Sequence, residues 1–335
     1  MGTFCKRLWD RVYVDPTGEV YACCKFQPDK LGNLNEKDFM EIWNGPKMQE
    51  YRKRSINGKL HCFSGCTLLS PEEKTNNMVE KTSLTVEEKN LKKVRLMFGE
   101  GCNIACVMCK QDHRARLALS EKIWKYKIPY HAVKFVEFQG GEPLFIIEGR
   151  KCYRYLTEEL GKKVNLITNG LLINDEWAEL IVKGSDYLTI SINGATKAVH
   201  EMVNKGSKWD KVMANIRRLV EAKARHQSRI ELIGHMTLVV ENIREIPSFI
   251  ELVNDMKLDT VEFGYDQPTV PPWLNHYPEI RADLIEQIKL VKGKVTVSID
   301  DNRLVHLGLV EGPLPAVPSI SAHGDNSKVP MPPVL

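Results

Sequence analysis

The sequence predicts an α/β fold: a partial (β/α)6 TIM-type barrel behind a small N-terminal cysteine-rich module. Three observations carry this. From residue 93 onward, short apolar runs alternate with amphipathic helical runs, the pattern of parallel strands joined by crossover helices. Five of the nine cysteines, Cys5, Cys23, Cys24, Cys62 and Cys66, lie in the first 66 residues. A second group, Cys102, Cys106 and Cys109, follows directly on the first apolar run of the alternating region. In either a barrel or a doubly wound sheet, which is the alternative arrangement of these elements, ligands belong at the carboxyl ends of the strands.

Taken in chain order, residues 11–14 and 19–22 flank Asp15-Pro16-Thr17-Gly18 and read as a hairpin with a tight turn. Residues 38–43 have helical apolar spacing, and Asn44-Gly45 ends that helix. The module is expected to span residues 1–69. Residues 70–92 are polar and charged and read as a linker, with a short helix at 85–91. The barrel is expected over 93–310, with strands at 94–98, Phe135–Gln139, Val164–Thr168, 187–192, 230–239 and 260–264. Amphipathic helices are expected between them, for example at 175–183 and 208–224. Residues 295–299 offer one more strand. The segment 311–335 is proline-rich and reads as a tail without its own core.

Composition narrows the function classes. With 335 residues, 43% hydrophobic and 27% charged, the chain can bury a sizeable core. A net charge of +4 gives no electrostatic case for nucleic acid or an anionic membrane. No apolar run reaches the ~18 residues of a membrane span. The N-terminus has no signal-peptide core, and the Met-Gly start lacks Ser or Thr at position 6. A cytoplasmic protein is expected, and there cysteines serve metal or redox chemistry rather than disulfides.

The spacing Cys102-x3-Cys106-x2-Cys109 is the most informative feature. Three thiolates this close can hold three irons of a cubane cluster, whereas ordinary electron-transfer clusters take four. The fourth iron is then open to a small molecule. Part of a zinc site is the alternative reading of the same residues. Further motifs stand at successive strand ends: Gly140-Gly141-Glu142-Pro143 after the second strand, Thr168-Asn169-Gly170 at the third, and Ser191-Ile192-Asn193-Gly194 at the fourth.

In this order the motifs resemble the radical S-adenosylmethionine (radical SAM) superfamily, over roughly residues 94–267. The resemblance implies that Cys102, Cys106 and Cys109 hold a 4Fe-4S cluster whose fourth iron is chelated by SAM. One electron then cleaves SAM to methionine and a 5′-deoxyadenosyl radical, which takes a hydrogen atom from the substrate. It also implies that the Gly140, Gly141, Glu142, Pro143 loop receives the SAM amino group. Glycines allow close backbone approach, and a carboxylate suits an ammonium. Thr168 and Asn169 belong to the next motif. Ser191 is expected at the SAM carboxylate or ribose, and Asn193 stands where relatives carry an acid. Lys205, in Asn204-Lys205-Gly206, replaces an arginine as a carboxylate partner, a point charge in place of a bidentate fork. His235-Met236-Thr237 and 263–265 are placed beside the adenine by position alone.

The N-terminal segment resembles the SPASM or twitch module of such enzymes. The marks are Cys5, Gly18-x4-Cys23, Gly32-Asn33-Leu34, Glu41-Ile42-Trp43-Asn44-Gly45, Met48, Arg52 and Cys62-x3-Cys66. The resemblance implies one auxiliary 4Fe-4S cluster on Cys5, Cys23, Cys62 and Cys66, with Cys23 favoured over Cys24. A structural zinc suits four thiolates equally. The module here precedes the radical SAM region, the reverse of the usual order. Cys152 reads as a small buried thiol or, by resemblance to peptide epimerases, as a hydrogen-atom donor.

The expected function is therefore a radical SAM enzyme with two 4Fe-4S clusters and SAM, acting on a peptide or protein. A small-molecule dehydrogenase or epimerase is the alternative. An electron donor such as ferredoxin or flavodoxin is implied as a partner, and neither nucleic acid nor membrane is. A non-catalytic iron-sulfur or zinc protein that binds a partner is the competing class, and it predicts no SAM binding. RNA modification is disfavoured by the mild charge and the lack of a basic, aromatic-rich appended domain.

Overall fold

A computed structural model describes residues 4–23, 29–60 and 83–312. Cys24, Cys62, Cys66, the 70–82 part of the expected linker and the 313–335 part of the expected tail lie outside the described residues. The architecture is the α/β one, parallel strands alternating with helices as in a partial TIM-type barrel, with a small N-terminal module. The described strands are β1 (Arg11–Val14), β2 (Glu19–Tyr21), β3 (Lys30–Asn33), β4 (Lys93–Met97), β5 (Ala105–Cys106), β6 (Phe135–Gln139), β7 (Val164–Thr168), β8 (Tyr187–Ser191), β9 (Asn204–Lys205), β10 (Glu231–Leu238), β11 (Thr260–Tyr265) and β12 (Ser298–Asp300). The chain divides into two compact units. The first lies within 1–103, 111–168 and 183–186, the second within 104–110, 169–182 and 187–335.

In the first unit the strand order is β3-β2-β1-β4-β6-β7. The expected hairpin forms, with Tyr13 opposite Tyr21 and Val14 opposite Val20. Its turn is held by Asp15, whose carboxylate accepts from the amides of Thr17 (2.8 Å) and Glu19 (3.0 Å). Sequence reading missed β3 and a second helix, Pro46–Ile56. Asn44-Gly45 does end the first helix, Phe39–Trp43, but Pro46 then starts another, because proline suits the first helical turn. The hairpin is also joined to the barrel strands. β1 pairs in parallel with β4, Val12 against Val94. β4, β6 and β7 continue in parallel, with Val94 against Val136 and Val136 against Val164. Val12, Val14, Val94, Leu96, Phe138, Val164 and Leu166 are fully buried, so one core runs under module and barrel strands alike.

Arg52 is wholly buried in this core. It donates to the carbonyls of Leu8 (3.0 Å) and Leu84 (2.8 Å) and to Asn44 Oδ1 (3.0 Å), and lies over the Trp43 ring. Burial pulls its pKa down to about 10. The described part of the expected linker, 83–92, is held by the Arg52 bond to Leu84 and by further contacts. Trp9 Nε1 donates to the Ser83 carbonyl (2.8 Å), and Val86 N to Asn44 Oδ1 (2.9 Å). The expected helix at 85–91 is a single turn, Glu88–Asn90.

In the second unit β8, β10, β11 and β12 are parallel, with Ser191 level with His235, His235 with Glu262 and Glu262 with Asp300. β12 starts at Ser298, three residues later than expected. β10 alternates strictly. Leu232, Gly234, Met236 and Leu238 are buried, while Ile233, His235 and Thr237 are half-buried, the signature of a strand with two different faces. No helix among the described residues is long and apolar enough to cross a membrane.

Candidate functional site

In the first unit the site begins where β4 runs out. Phe98 leaves the ladder, its amide donating to the Gln139 carbonyl (3.1 Å) and its carbonyl accepting from Leu119 N (2.9 Å). The chain then passes through Gly99-Glu100-Gly101 to Cys102, which is partly exposed. Residues 113–119 run alongside: Cys102 N donates to the His113 carbonyl (3.0 Å), and Gly99 bridges Ala118. Both glycines are required. A Cβ on Gly99 would stand 2.6 Å from the Leu117 carbonyl, and one on Gly101 2.8 Å from that of Ala115.

The Gly140–Pro143 loop, at the end of β6, packs on the same backbone. Gly140 and Gly141 have φ of +89° and +54°, a region that glycine alone enters without strain. An added Cβ at Gly141 would stand 2.2 Å from the Gly101 carbonyl oxygen. Gly141 N donates to Gln111 Oε1 (3.1 Å) and Glu142 N to the Gly101 carbonyl (3.0 Å). Glu142 is 1% exposed, and its Oε1 accepts from Leu144 N (3.1 Å) and Thr168 Oγ1 (2.8 Å). This carboxylate therefore ties the loop to the end of β7.

The second unit holds Cys106 and Cys109 on a tight turn, Cys109 N donating to the Cys106 carbonyl (3.0 Å). Sequence reading missed what supports it. β5 and β9 form a two-residue antiparallel ribbon, Ala105 opposite Lys205 and Cys106 opposite Asn204, and Val107 N donates to the Val203 carbonyl (2.9 Å). Lys205 is thus brought beside the cysteine turn through its backbone, with its side chain exposed. Asn204 is buried and binds the Ile192 carbonyl (2.9 Å). Asn193 is buried at φ +57°, a left-handed position that asparagine tolerates. Its amide donates to Asn204 Oδ1 (3.0 Å) and accepts from Thr237 N (2.7 Å). His200 completes the network, with Nε2 on Ser207 Oγ (2.7 Å); burial lowers its pKa, so it is neutral at pH 7. Asn169 is buried and caps Leu171 N (3.1 Å), and Ser191 ends β8 half-exposed. His235 is held down to about pKa 4, chiefly by burial and then by the Arg303 charge. Its Nδ1 has no hydrogen-bond partner among the described residues.

Cys5 and Cys23 are both buried in the module of the first unit, Cys5 N donating to Ser55 Oγ (2.8 Å). Cys152 lies on the helix Ile147–Arg154, wholly buried beside Tyr130, and burial raises its thiol pKa well above the usual range. That is the environment of a packing thiol.

Among the described residues no three Cys, His, Asp or Glu side chains stand together as a bare metal-ion site. The fit to a larger group is judged from the donors and the backbone around them. Three partly exposed thiols on one short stretch suit an iron-sulfur cluster. His113 Nδ1, beside Cys102, is buried without a partner among the described residues. Gly140 and Gly141 let the loop after β6 lie directly against the 99–101 backbone that leads into Cys102.

Comparison with known proteins agrees. The family model described as the radical SAM superfamily matches residues 96–253, and that of an iron-sulfur cluster-binding domain, SPASM, matches 5–67. The chain is 26% identical over 180 residues to molybdenum cofactor biosynthesis protein 1 of Dictyostelium discoideum, covering 50% of this chain and 27% of that protein. It is 24% identical over 189 residues to a probable GTP 3′,8-cyclase of Methanopyrus kandleri, covering 52% and 57%. The match thus spans less than two thirds of either curated relative. Among solved structures, SuiB of Streptococcus suis bound to its precursor peptide SuiA shares 15% identity at a TM-score of 0.48, over 89% of this chain and 72% of that one. Native anSMEcpe with bound AdoMet shares 16% identity at 0.46, over 65% and 66%. The chain carries a radical SAM domain at 96–253 and, ahead of it at 5–67, a SPASM iron-sulfur cluster-binding domain, domains whose cofactors are S-adenosylmethionine and 4Fe-4S clusters.

Proposed function

We propose that the chain removes a hydrogen atom from a carbon of a peptide or protein substrate, and that a second cluster in the module takes part in oxidising or positioning that substrate. The observation that carries the reading is the packing of the Gly140–Pro143 loop onto Gly101, one residue before Cys102, with the three-cysteine spacing continuing from there. Cys102, Cys106 and Cys109 would hold the catalytic cluster, and Cys5, Cys23, Cys62 and Cys66 the auxiliary one. When bound, the catalytic cluster supplies the single electron that cleaves SAM, and SAM supplies the radical that takes the hydrogen atom.

The chain's own residues do the placing. Glu142, bonded to Leu144 N and Thr168, holds the glycine pair against Gly101, so the Gly140–Pro143 backbone is set for the SAM amino group before ligand arrives. Asn193, bonded to Asn204 and Thr237, fixes the end of β8, where Ser191 would serve the SAM carboxylate or ribose. Lys205, paired through its backbone with Ala105, is an exposed cation that would serve a carboxylate. Such preorganised contacts act without reorganisation cost at the moment of reaction. Cys152 as hydrogen donor is the weaker assignment, because its thiol is wholly buried.

A peptide substrate is supported by the module, since peptide-modifying enzymes carry modules of this kind. A second reading, a small-molecule substrate, is supported by the names of the curated relatives, probable GTP 3′,8-cyclases. The test is anaerobic reconstitution followed by dithionite and SAM. The wild type is expected to hold about eight irons and eight sulfides, from two cubanes, and to release 5′-deoxyadenosine. Cys102, Cys106 and Cys109 changed together to Ala should leave about half the iron and release none. A wild type that holds its clusters but neither binds nor cleaves SAM would return the chain to the non-catalytic class.

A further inference from the structure

In the second unit Cys106 stands on a ribbon too small to hold itself. β5 and β9 contribute two residues each, and even longer two-stranded pairings are marginal in isolation. What fixes β9 is therefore what fixes the cysteine. β9 follows the helix Lys197–Val203, which starts on Thr196, whose hydroxyl accepts from Val199 N (3.3 Å). The helix lies directly on the chain that leaves β8: a Cβ on Gly194 would stand 2.6 Å from His200 N and 2.8 Å from its Cα. All of these residues belong to the same unit as Cys106.

His200 joins the ends of the two strands. It is fully buried. Its Nδ1 bonds the carbonyl of Ile192, the residue after Ser191, and its Nε2 bonds Ser207 Oγ (2.7 Å), two residues past β9. A carbonyl only accepts, so Nδ1 carries the proton. In the neutral ring Nε2 is then the acceptor, and the Ser207 hydroxyl donates to it. Asn204 fills the space between. Its amide donates to the same Ile192 carbonyl (2.9 Å) and accepts from Asn193 Nδ2 (3.0 Å), while its own carbonyl accepts from Ser207 N (2.8 Å). Asn204 is the residue opposite Cys106, and Val203 before it accepts from Val107 N (2.9 Å). One imidazole thus bridges the end of the strand bearing Ser191 and the strand that backs the cysteine turn.

We propose that His200 is a positioning residue: through Ser207 and Asn204 it holds the Cys106 ribbon at one spacing from the β8 end that carries Ser191, and so sets cluster ligand against SAM contact. The proposal rests on the readings of Cys106 as a cluster ligand and of Ser191 as a SAM contact. The chemistry of the bridge favours this over packing alone. A buried imidazole costs desolvation that an apolar side chain of the same size would not. What it adds is direction, since a polar network bonded at every member specifies one arrangement. Both of its partners lie on segments that lead to the site. Residues that orient metal ligands in this way act without touching the metal.

The experiment compares the reconstituted full-length wild type with H200F, which keeps the ring and its edge contact with Trp209 but removes both bonds. S207A removes one bond and is the milder variant; it carries the same comparison if H200F does not fold. L219A, a buried side chain of the helix Trp209–Arg225 outside the network, controls for general destabilisation. Two quantities are read. One is SAM affinity, from the change that added SAM makes in the paramagnetic resonance spectrum of the dithionite-reduced protein. The other is amide hydrogen exchange of the peptide 104–110, measured without SAM. H200F is expected to keep wild-type iron content but to bind SAM about 10- to 100-fold more weakly, the range for residues that orient metal ligands, with S207A intermediate. Both should exchange faster at 104–110, while L219A matches wild type in both readouts. SAM affinity in H200F within about twofold of wild type overturns the proposal. So does exchange at 104–110 that quickens as much in L219A, which would make His200 a packing residue. If the wild type itself binds no SAM, the reading of function fails instead. The exchange arm still decides whether His200 holds the ribbon.

Discussion

Gly141 shows how narrowly the site is drawn at the scale of single residues. A methyl group there meets the Gly101 carbonyl at 2.2 Å and must also adopt φ +54°. The left-handed conformation alone costs an alanine about 1 kcal/mol, and the clash adds to it by pushing the backbone that leads into Cys102. Gly141→Ala is therefore expected to lower iron content and 5′-deoxyadenosine release while the far-ultraviolet circular dichroism stays near wild type. Full iron loading with normal SAM cleavage in that variant would show that the loop is free to move away. Asn193 makes a similar case from the other unit. Where relatives carry an acid, this chain has a buried amide that donates to Asn204 Oδ1. In Asn193→Asp, two oxygen acceptors would face each other in a buried place, a loss of about 1–3 kcal/mol. The loss should grow as pH rises and the new carboxylate ionises. A thermal melt at pH 5 and at pH 8 reads this directly; equal destabilisation at both values would mean that the carboxylate finds another donor.

At the scale of elements, Glu137 on β6 ties β4 to its neighbour. It is 4% exposed, and its carboxylate takes Arg95 in a forked pair (2.8 and 3.0 Å) and Lys93 at 2.5 Å. Burial alone would raise its pKa. The Arg95 and Lys93 charges outweigh that, and the pKa falls below the ordinary 4.5. A carboxylate with a depressed folded pKa contributes stability that is fully present above pH 4.5 and is lost as pH falls through the lower folded value. Glu137→Gln should flatten this acid-side slope in urea unfolding midpoints. Glu137→Ala, which takes the buried carboxylate away from two partly buried cations, should cost about 1–3 kcal/mol at neutral pH. A midpoint for the alanine variant within about 0.5 kcal/mol of wild type would mean that solvent reaches both cations. The elements themselves were legible where periodicity was strong. β6 and β7 span the residues expected of them, because their centres are buried and rich in apolar side chains. β3 was not legible, since Lys30-Leu31-Gly32-Asn33 has no alternation and forms only because β2 offers it an edge. The β5–β9 ribbon was invisible for the same reason: two-residue pairings are set by the fold around them, and nothing in Asn204-Lys205 announces a strand.

For the whole molecule, the motif order along the chain carried the reading further than any single motif did. Glycine loops and cysteine spacings are local and survive translation into sequence. What sequence concealed was the continuity of the module with the barrel strands, because the parallel pairing of β1 with β4 joins residues about eighty positions apart and has no local signature. That continuity bears on the auxiliary cluster. Cys5 and Cys23 flank the β1–β2 hairpin and are both buried, so half of the expected ligand set stands on a hairpin that is paired to β4. Cys62 and Cys66 supply the other half. Replacing Cys62 and Cys66 together with Ala is therefore expected to remove one cluster's worth of iron, about four of eight, while the β1–β4 core keeps the protein folded and soluble. A free-standing module of this size would instead be expected to unfold with its metal. On the proposed assignment the catalytic cluster takes no ligand from Cys62 or Cys66, so SAM cleavage under dithionite should persist in the variant. Product formation should be abolished if the auxiliary cluster takes the substrate's electron. Soluble yield, iron content and 5′-deoxyadenosine are read on one preparation. A folded variant that retains SAM cleavage and still makes full product would reduce the second cluster to a structural clamp, and one that loses cleavage as well would mean that the module reaches the SAM site itself.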